Sequence, residues 1–224
     1  MFKILVKFSA VAWYWRFIFA WFVLSIAVLA SIGSWSSVYF AIVWCVVFGG
    51  ASWLFRERIR DIIKGSLIDN IVGFSIIVII ISSVEEYLVY ILGGTLAQPV
   101  LWVDLVFIDA TWLTWLVTWK LWVSRKFAFS PPEAVLYSAF TGVLYEIFVS
   151  GAFLHNPFSI FIELPVVWIV YSVIVFIPIT MIDFRGKSHG VIAGIEAVLV
   201  PFLISEAVAA SLWVLLGVLK VPLV

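Results

Sequence analysis

Apolar stretches about as long as a bilayer is thick alternate with short polar breaks along the whole chain. A helix crossing the hydrocarbon core needs roughly 20 mostly apolar residues. Seven runs approach or exceed that length: 12–33, 36–55, 70–92, 101–123, 134–154, 160–182 and 191–219. The breaks fall at Gly33-Ser34, the charged stretch Arg56–Lys64, Gly93-Gly94, Ser130-Pro131-Pro132, His155-Asn156-Pro157 and Arg185–Gly190. Gly, Pro, Asn and Ser are the residues that end helices and start turns. The pattern predicts an all-α polytopic membrane protein, a seven-transmembrane-helix bundle forming one domain over residues 1–224. The last run is long for one crossing, and Pro201 predicts a kink in it.

Composition narrows the picture. The chain is 65% hydrophobic and only 12% charged, against about 25% charge in an ordinary soluble domain. A water-soluble fold of this size has nowhere to bury so much apolar surface. A single cysteine, Cys45, excludes a disulfide scaffold. Zero net charge gives no basic field for nucleic acid, so the expected partners are the lipid bilayer and a lipid-soluble or glycosylated lipid substrate. The first run is too long for a signal peptide and lacks a small-residue cleavage site.

Orientation follows from the basic residues. Lys3, Lys7 and Arg16 precede or open the first run, and Arg56, Arg58, Arg60 and Lys64 lie between the second and third. Lys120, Arg125 and Lys126 lie between the fourth and fifth, Arg185 and Lys187 between the sixth and seventh. Only Lys220 falls on the other side. The amino terminus is therefore expected inside and the carboxy terminus outside, in a multi-pass cell membrane protein. Trp13, Trp15, Trp35, Trp53, Trp102 and Trp122 fall near run ends, where indole rings favour the interface. Trp112, Trp115 and Trp119 share one face of the fourth helix and are expected to pack in the bundle or wall a substrate.

The acids are distributed differently. Glu57, Asp61, Asp69, Glu133 and Asp183 accompany the basic residues and are expected to be solvated, and Glu196 sits in the inner part of the seventh run. Glu85, Glu86, Asp104, Asp109, Glu146, Glu163 and Glu206 fall instead between mid-membrane and the outer end. At 1.5 Å of rise per residue, Glu86 lies about 9 Å below the outer end of its helix, and Asp109 and Glu146 each about 12 Å. Asp104 and Glu163 are shallower, and Glu206 is deepest. Ser75, Ser82, Glu86 and Tyr90 form one stripe of the third helix, with Glu85 on a more apolar side. Glu133, Tyr137, Thr141 and Tyr145 repeat every four residues on the fifth, with Glu146 one step round. Glu163 and Tyr171 lie toward one side of the sixth. Polar stripes in apolar helices face a bundle interior or a watery cavity, because facing lipid costs kilocalories per group. The stripes predict an acidic, outward-opening pocket between the third, fourth and fifth helices.

His155 and His189 lie on opposite sides of the membrane, which disfavours a transition metal and leaves only a hard cation held by oxygens open; no metal ligand and no cofactor is assigned. A retinal protein needs a lysine inside its last helix, and Lys220 lies at the extreme end. Asp69-Asn70, a long apolar stretch and Glu85-Glu86-Tyr87-Leu88 resemble the integral-membrane lycopene cyclases and related carotenoid hydratases, mainly over the third helix. The resemblance implies a seven-helix scaffold and acid catalysis on a lipid-soluble substrate: a neutral carboxylic acid protonates a double bond while other carboxylates stabilise the cation. Glycoside hydrolysis needs the same paired carboxyl groups, plus hydroxyl-binding partners.

The richness in Tyr, Thr, Ser and Trp favours, from sequence, an intramembrane glycosidase acting on a glycolipid or glycosylated isoprenoid. Carotenoid hydration or cyclisation is the alternative, and proton- or cation-coupled transport comes third. The expected catalytic groups are Glu86, Asp109 and Glu146, at least one of them protonated. Glu85, Asp104, Glu163, Glu206, Tyr90, Trp112, Trp115, Tyr137, Thr141, Tyr145 and Tyr171 are the expected substrate-binding set.

Overall fold

The computed structural model describes residues 2–64, 66, 70–94, 96, 98, 100–146, 160–187 and 190–221, with side chains from residue 12 onward. The described residues form helices α1 (Phe2–Ser31), α2 (Trp35–Leu54), α3 (Arg56–Ile63), α4 (Ile71–Ile91), α5 (Leu101–Lys126), α6 (Pro131–Leu144), α7 (Ile160–Thr180) and α8 (Val191–Val218). Six of these, α1, α2, α4, α5, α7 and α8, are long and apolar enough to cross a membrane. The fifth apolar run is seen only as α6, 14 residues long, and the remainder of 134–154 beyond residue 146 lies outside the described residues. The all-α membrane architecture holds. The described helices provide six spans of crossing length where the pattern predicted seven.

Local chemistry explains several boundaries. Asn70 caps α4 by accepting the Gly73 N–H at 2.9 Å. Pro131 and Pro132 open α6, where a missing N–H costs nothing. Glu133 departs from the solvated role expected of it. It is buried, and its Oε2 accepts from the Ser130 backbone N at 2.9 Å and hydroxyl at 2.8 Å, closing the first turn of α6. Ala41–Phe48 within α2 and Trp119–Val123 within α5 are wound as π-helix, and no proline falls in either stretch.

Helix α7 is the hub, packed against α1, α2, α4 and α6, while α8 lies along α5 and α6. Wholly buried Trp44 of α2 stacks on Phe48 and donates its indole N–H to the Val170 carbonyl of α7 at 3.3 Å. Pro165 and Pro178 lie inside α7 and are buried. The hydroxyls of Ser172 and Thr180 bond back to carbonyls of the same helix. The wide apolar faces left exposed, such as Val23, Leu24, Val46, Val47, Leu203 and Val214, suit lipid.

The charged segments converge on one end of the bundle. Lys64 and Arg185 both reach Asp183, at 3.7 and 3.6 Å, and Lys126 pairs with Glu196. The Arg185 N–H donates to the Ser124 carbonyl at 2.8 Å, and Gly186 lies so close on the Lys126–Phe127 backbone that a Cβ has no room. Trp53 and Trp122 at this end carry Arg56 and Lys126 over their ring faces, at 4.6 and 4.9 Å from the centroids. Arg58→Cys and Lys187→Cys, introduced singly, are therefore expected to react with a membrane-impermeant maleimide from the same face of sealed vesicles. Native Cys45 is 8% exposed and will stay silent. Labelling from opposite faces would contradict the shared end.

Candidate functional site

Acidic side chains from three neighbouring helices gather toward the other half of the bundle. Glu85 and Glu86, a turn and a half from the end of α4, are both buried. Asp104, in the first turn of α5, has no exposed surface at all. Glu146 follows directly on α6, and the Tyr171 hydroxyl of α7 donates to its Oε1 at 2.5 Å. Glu85 and Glu86 both feel the charges of Asp104 and Glu146, so the four acids form one electrostatic cluster.

Within it, Glu86 and Asp104 are neighbouring carboxyl groups. Asp104 Oδ1 accepts the Gln98 backbone N–H at 2.6 Å, while its Oδ2 is buried with no hydrogen-bond partner. The Gln98 bond ties the segment before α5 to the cluster. Among the described residues no ion pair reaches Glu85, Glu86, Asp104 or Glu206.

A cavity adjoins the cluster between α5, α6, α7 and α8. Ile108, Thr111, Trp112 and Trp115 line it from α5, at the helical spacing that makes one stripe, and Asp104 is the next position along that stripe. Thr141, Gly142 and Tyr145 line it from α6, Tyr171 from α7, and Phe202, Ser205 and Glu206 from α8. The interior has room for about one water molecule. With its mouth and crevices included it encloses about 340 Å³ of empty space. Trp112 and Trp115 stack with ring centroids 4.6 Å apart, and Tyr171 packs on Trp112 at 5.1 Å. Tyr145 and Tyr171 form the wall toward the cluster. Both line the cavity, and both feel Glu146 directly.

Most hydroxyls in this wall are committed. Thr111 donates to the Phe107 carbonyl at 2.8 Å, Thr141 to Tyr137 at 3.4 Å and Ser205 to Phe202 at 2.8 Å. Two polar atoms in the lining are buried without a partner: the Trp115 indole nitrogen and Glu206 Oε1.

The sequence-expected residues thus separate into groups. Glu85, Glu86, Asp104 and Glu146 come together, and Trp112, Trp115, Thr141, Tyr145, Tyr171 and Glu206 line the adjoining cavity. Asp109 goes elsewhere. It accepts from Ser82 at 2.5 Å and Ser83 at 2.8 Å, bracing α5 on α4. Five residues from Asp104, it is turned about 140° round the helix, so equal depth did not bring it to the same place. Glu163 is exposed in the first turn of α7 and Tyr90 is exposed on α4. Tyr137 packs on Phe129 with centroids 5.2 Å apart and fits over Gly194, away from the cavity. The cavity lies between the fourth to seventh apolar runs, not the third to fifth, because the third helix contributes acids to its flank and no lining residue.

Sequence reasoning missed Ile108, Phe202 and Ser205 as lining residues. Thr111, seven positions from Asp104 on the same polar stripe, does line the cavity, and Ser205 stands beside Glu206, within reach of the same argument. Gln98 acts through its backbone and leaves no signal in residue type. No protein-family model matches the chain, nor does any curated protein or solved structure.

Proposed function

We propose that this chain is an intramembrane acid catalyst whose carboxyl cluster protonates a lipid-soluble substrate held at the mouth of the aromatic cavity. Protonation of a double bond, leading to hydration or cyclisation of an unsaturated isoprenoid, is the reading the geometry supports best. The observation that carries it is the gathering of buried Glu85, Glu86 and Asp104 beside a cavity walled by stacked Trp112 and Trp115. Crowded carboxyl groups in an apolar setting cannot all ionise, so one keeps a proton to give, and indole faces stabilise the carbocation that forms when an alkene takes it up.

One feature favours this over the glycosidase expected from sequence. Thr111, Thr141 and Ser205 spend their protons on their own helices instead of keeping them for sugar hydroxyls. One contact favours hydrolysis as a second reading: a tyrosine hydroxyl donating to Glu146 stabilises an ionised carboxylate, the form a nucleophile or base needs.

In the first reading, Glu86 holds the proton, with Asp104 beside it. Glu146, anchored by Tyr171, supplies negative charge near the developing cation. The substrate's reacting end lies at the cavity mouth, with the Trp112–Trp115 wall beyond it. The seventh crossing, the amino terminus inside and the carboxy terminus outside belong to this proposal, on the ground that basic residues favour the inner face. The acid half of the bundle then faces outward.

The test is turnover by purified protein in nanodiscs, with lycopene and chromogenic aryl glycosides offered in parallel. Hydrated or cyclised polyene without aglycone release is the expected outcome. Aglycone release without polyene conversion would transfer the assignment to hydrolysis.

A further inference from the structure

Two unsatisfied buried atoms face the same cavity, and they are complementary. Trp115 is 3% exposed, and its indole N–H, a donor only, has no acceptor. Glu206 of α8 lines the same cavity, and its Oε1 is buried with no donor. Buried polar groups are nearly always paired, and each exception calls for an explanation. The two residues sit on different helices, α5 and α8, and both line a space with room for about one water. A ligand joining them must accept from the indole and donate to the carboxyl group. A hydroxyl group does both, and an alkene or alkyl chain does neither.

We propose that the Trp115–Glu206 side of the cavity is a hydroxyl-binding site, and that its occupant is the water molecule consumed in the reaction. The Trp115 N–H holds one lone pair of the oxygen. Glu206 accepts one of its protons, which leaves the other lone pair free for the substrate.

The chemistry balances without any further reactant. The proton from Glu86 forms a new C–H bond at one carbon of the double bond as the π bond breaks, leaving a cation on the other carbon. The water oxygen forms a C–O bond there and gives a proton to Glu206. Proton return from Glu206 to Glu86 through solvent restores both groups, for a net addition of water. The use of the water rests on the double-bond reading above, whereas the site itself does not.

Two measurements separate the site from its use. The first is a high-resolution density map of the substrate-free protein in nanodiscs. An isolated peak at about 2.7–3.2 Å from both Trp115 Nε1 and a Glu206 oxygen is expected, lost in Trp115→Phe, which keeps the ring packing and removes only the donor. A dry cavity, or density continuous with a lipid tail, would overturn the site.

The second is lycopene conversion in H₂¹⁸O. The label is expected in a product hydroxyl, and Trp115→Phe and Glu206→Gln are each expected to lower hydrated product at least about tenfold relative to total polyene consumed. A water peak with hydrated product whose yield neither variant changes would overturn the water's role and leave acid catalysis standing. A water peak with no polyene conversion would overturn the double-bond reading and leave the site standing. If the peak appears only with an alcohol or sugar headgroup present, the occupant is a substrate hydroxyl and not water.

Discussion

Glu86→Gln is expected to lower turnover by at least about 10²-fold, the usual contribution of a positioned acid, while Asp109→Asn leaves turnover close to that of the unaltered protein. The amide keeps the shape of Glu86 but has no acidic proton to give. Asp109 lies near the same depth in the bundle, yet its oxygens face Ser82 and Ser83. Its amide loses part of a charge-assisted contact, on the order of 1 kcal/mol of stability, visible as a lower midpoint in detergent unfolding with folded-state turnover intact. The two variants are best assayed side by side in nanodiscs. Equal loss in both would place the chemistry at a common depth and contradict the division between cluster and brace.

Gly142→Ala is expected to destabilise the bundle by about 1–3 kcal/mol, the usual cost of overpacking, and to reduce turnover beyond what the loss of folded protein explains. An added Cβ would lie 2.6 Å from Tyr171 Cγ and 2.8 Å from Cε2, inside the ring's van der Waals envelope, and close on Cδ2 as well. Tyr171 cannot simply swing away, because Trp112 packs on one side and the hydroxyl is held by Glu146. The methyl group therefore either forces α6 from α7 or breaks the Tyr171–Glu146 bond. Unfolding midpoint and single-turnover rate, measured on the same preparation, separate the two costs. A Gly142→Ala protein with unchanged stability and rate would show that the α6–α7 contact is loose.

The fold was legible because a bilayer imposes length and apolarity on any crossing helix, and the runs record both. Six of the seven expected crossings correspond to helices of spanning length, with ends shifted by a few residues except at α1, which begins at Phe2. The acid cluster was half legible. Depth follows directly from residue number, and Glu86 and Glu146, close in depth by that count, do fall in one cluster. Azimuth did not follow as well: each residue turns the helix by about 100°, so an error of one position in choosing the inward face exchanges Glu85 for Glu86 or admits Asp109.

The expected apolar side of Glu85 proved to be an interior side, since a bundle helix touches neighbours on more than one face. Glu133 was misplaced for a different reason. Its role comes from the Ser130-Pro131-Pro132 turn preceding it, a capping arrangement that charge bookkeeping passes over. The pairing of Asp104 with the Gln98 backbone was not legible at all, because a main-chain donor exists at nearly every residue.

A carboxyl group of this cluster that delivers a proton to a carbon of a membrane-dissolved substrate must leave that proton in the product. Conversion of lycopene in D₂O buffer follows the transfer, with the product washed in H₂O before mass spectrometry so that only carbon-bound deuterium remains. The expected product is one mass unit heavier, with the deuterium on a former double-bond carbon and its yield abolished in Glu86→Gln. A product formed at full yield without carbon-bound deuterium would rule out proton delivery to carbon.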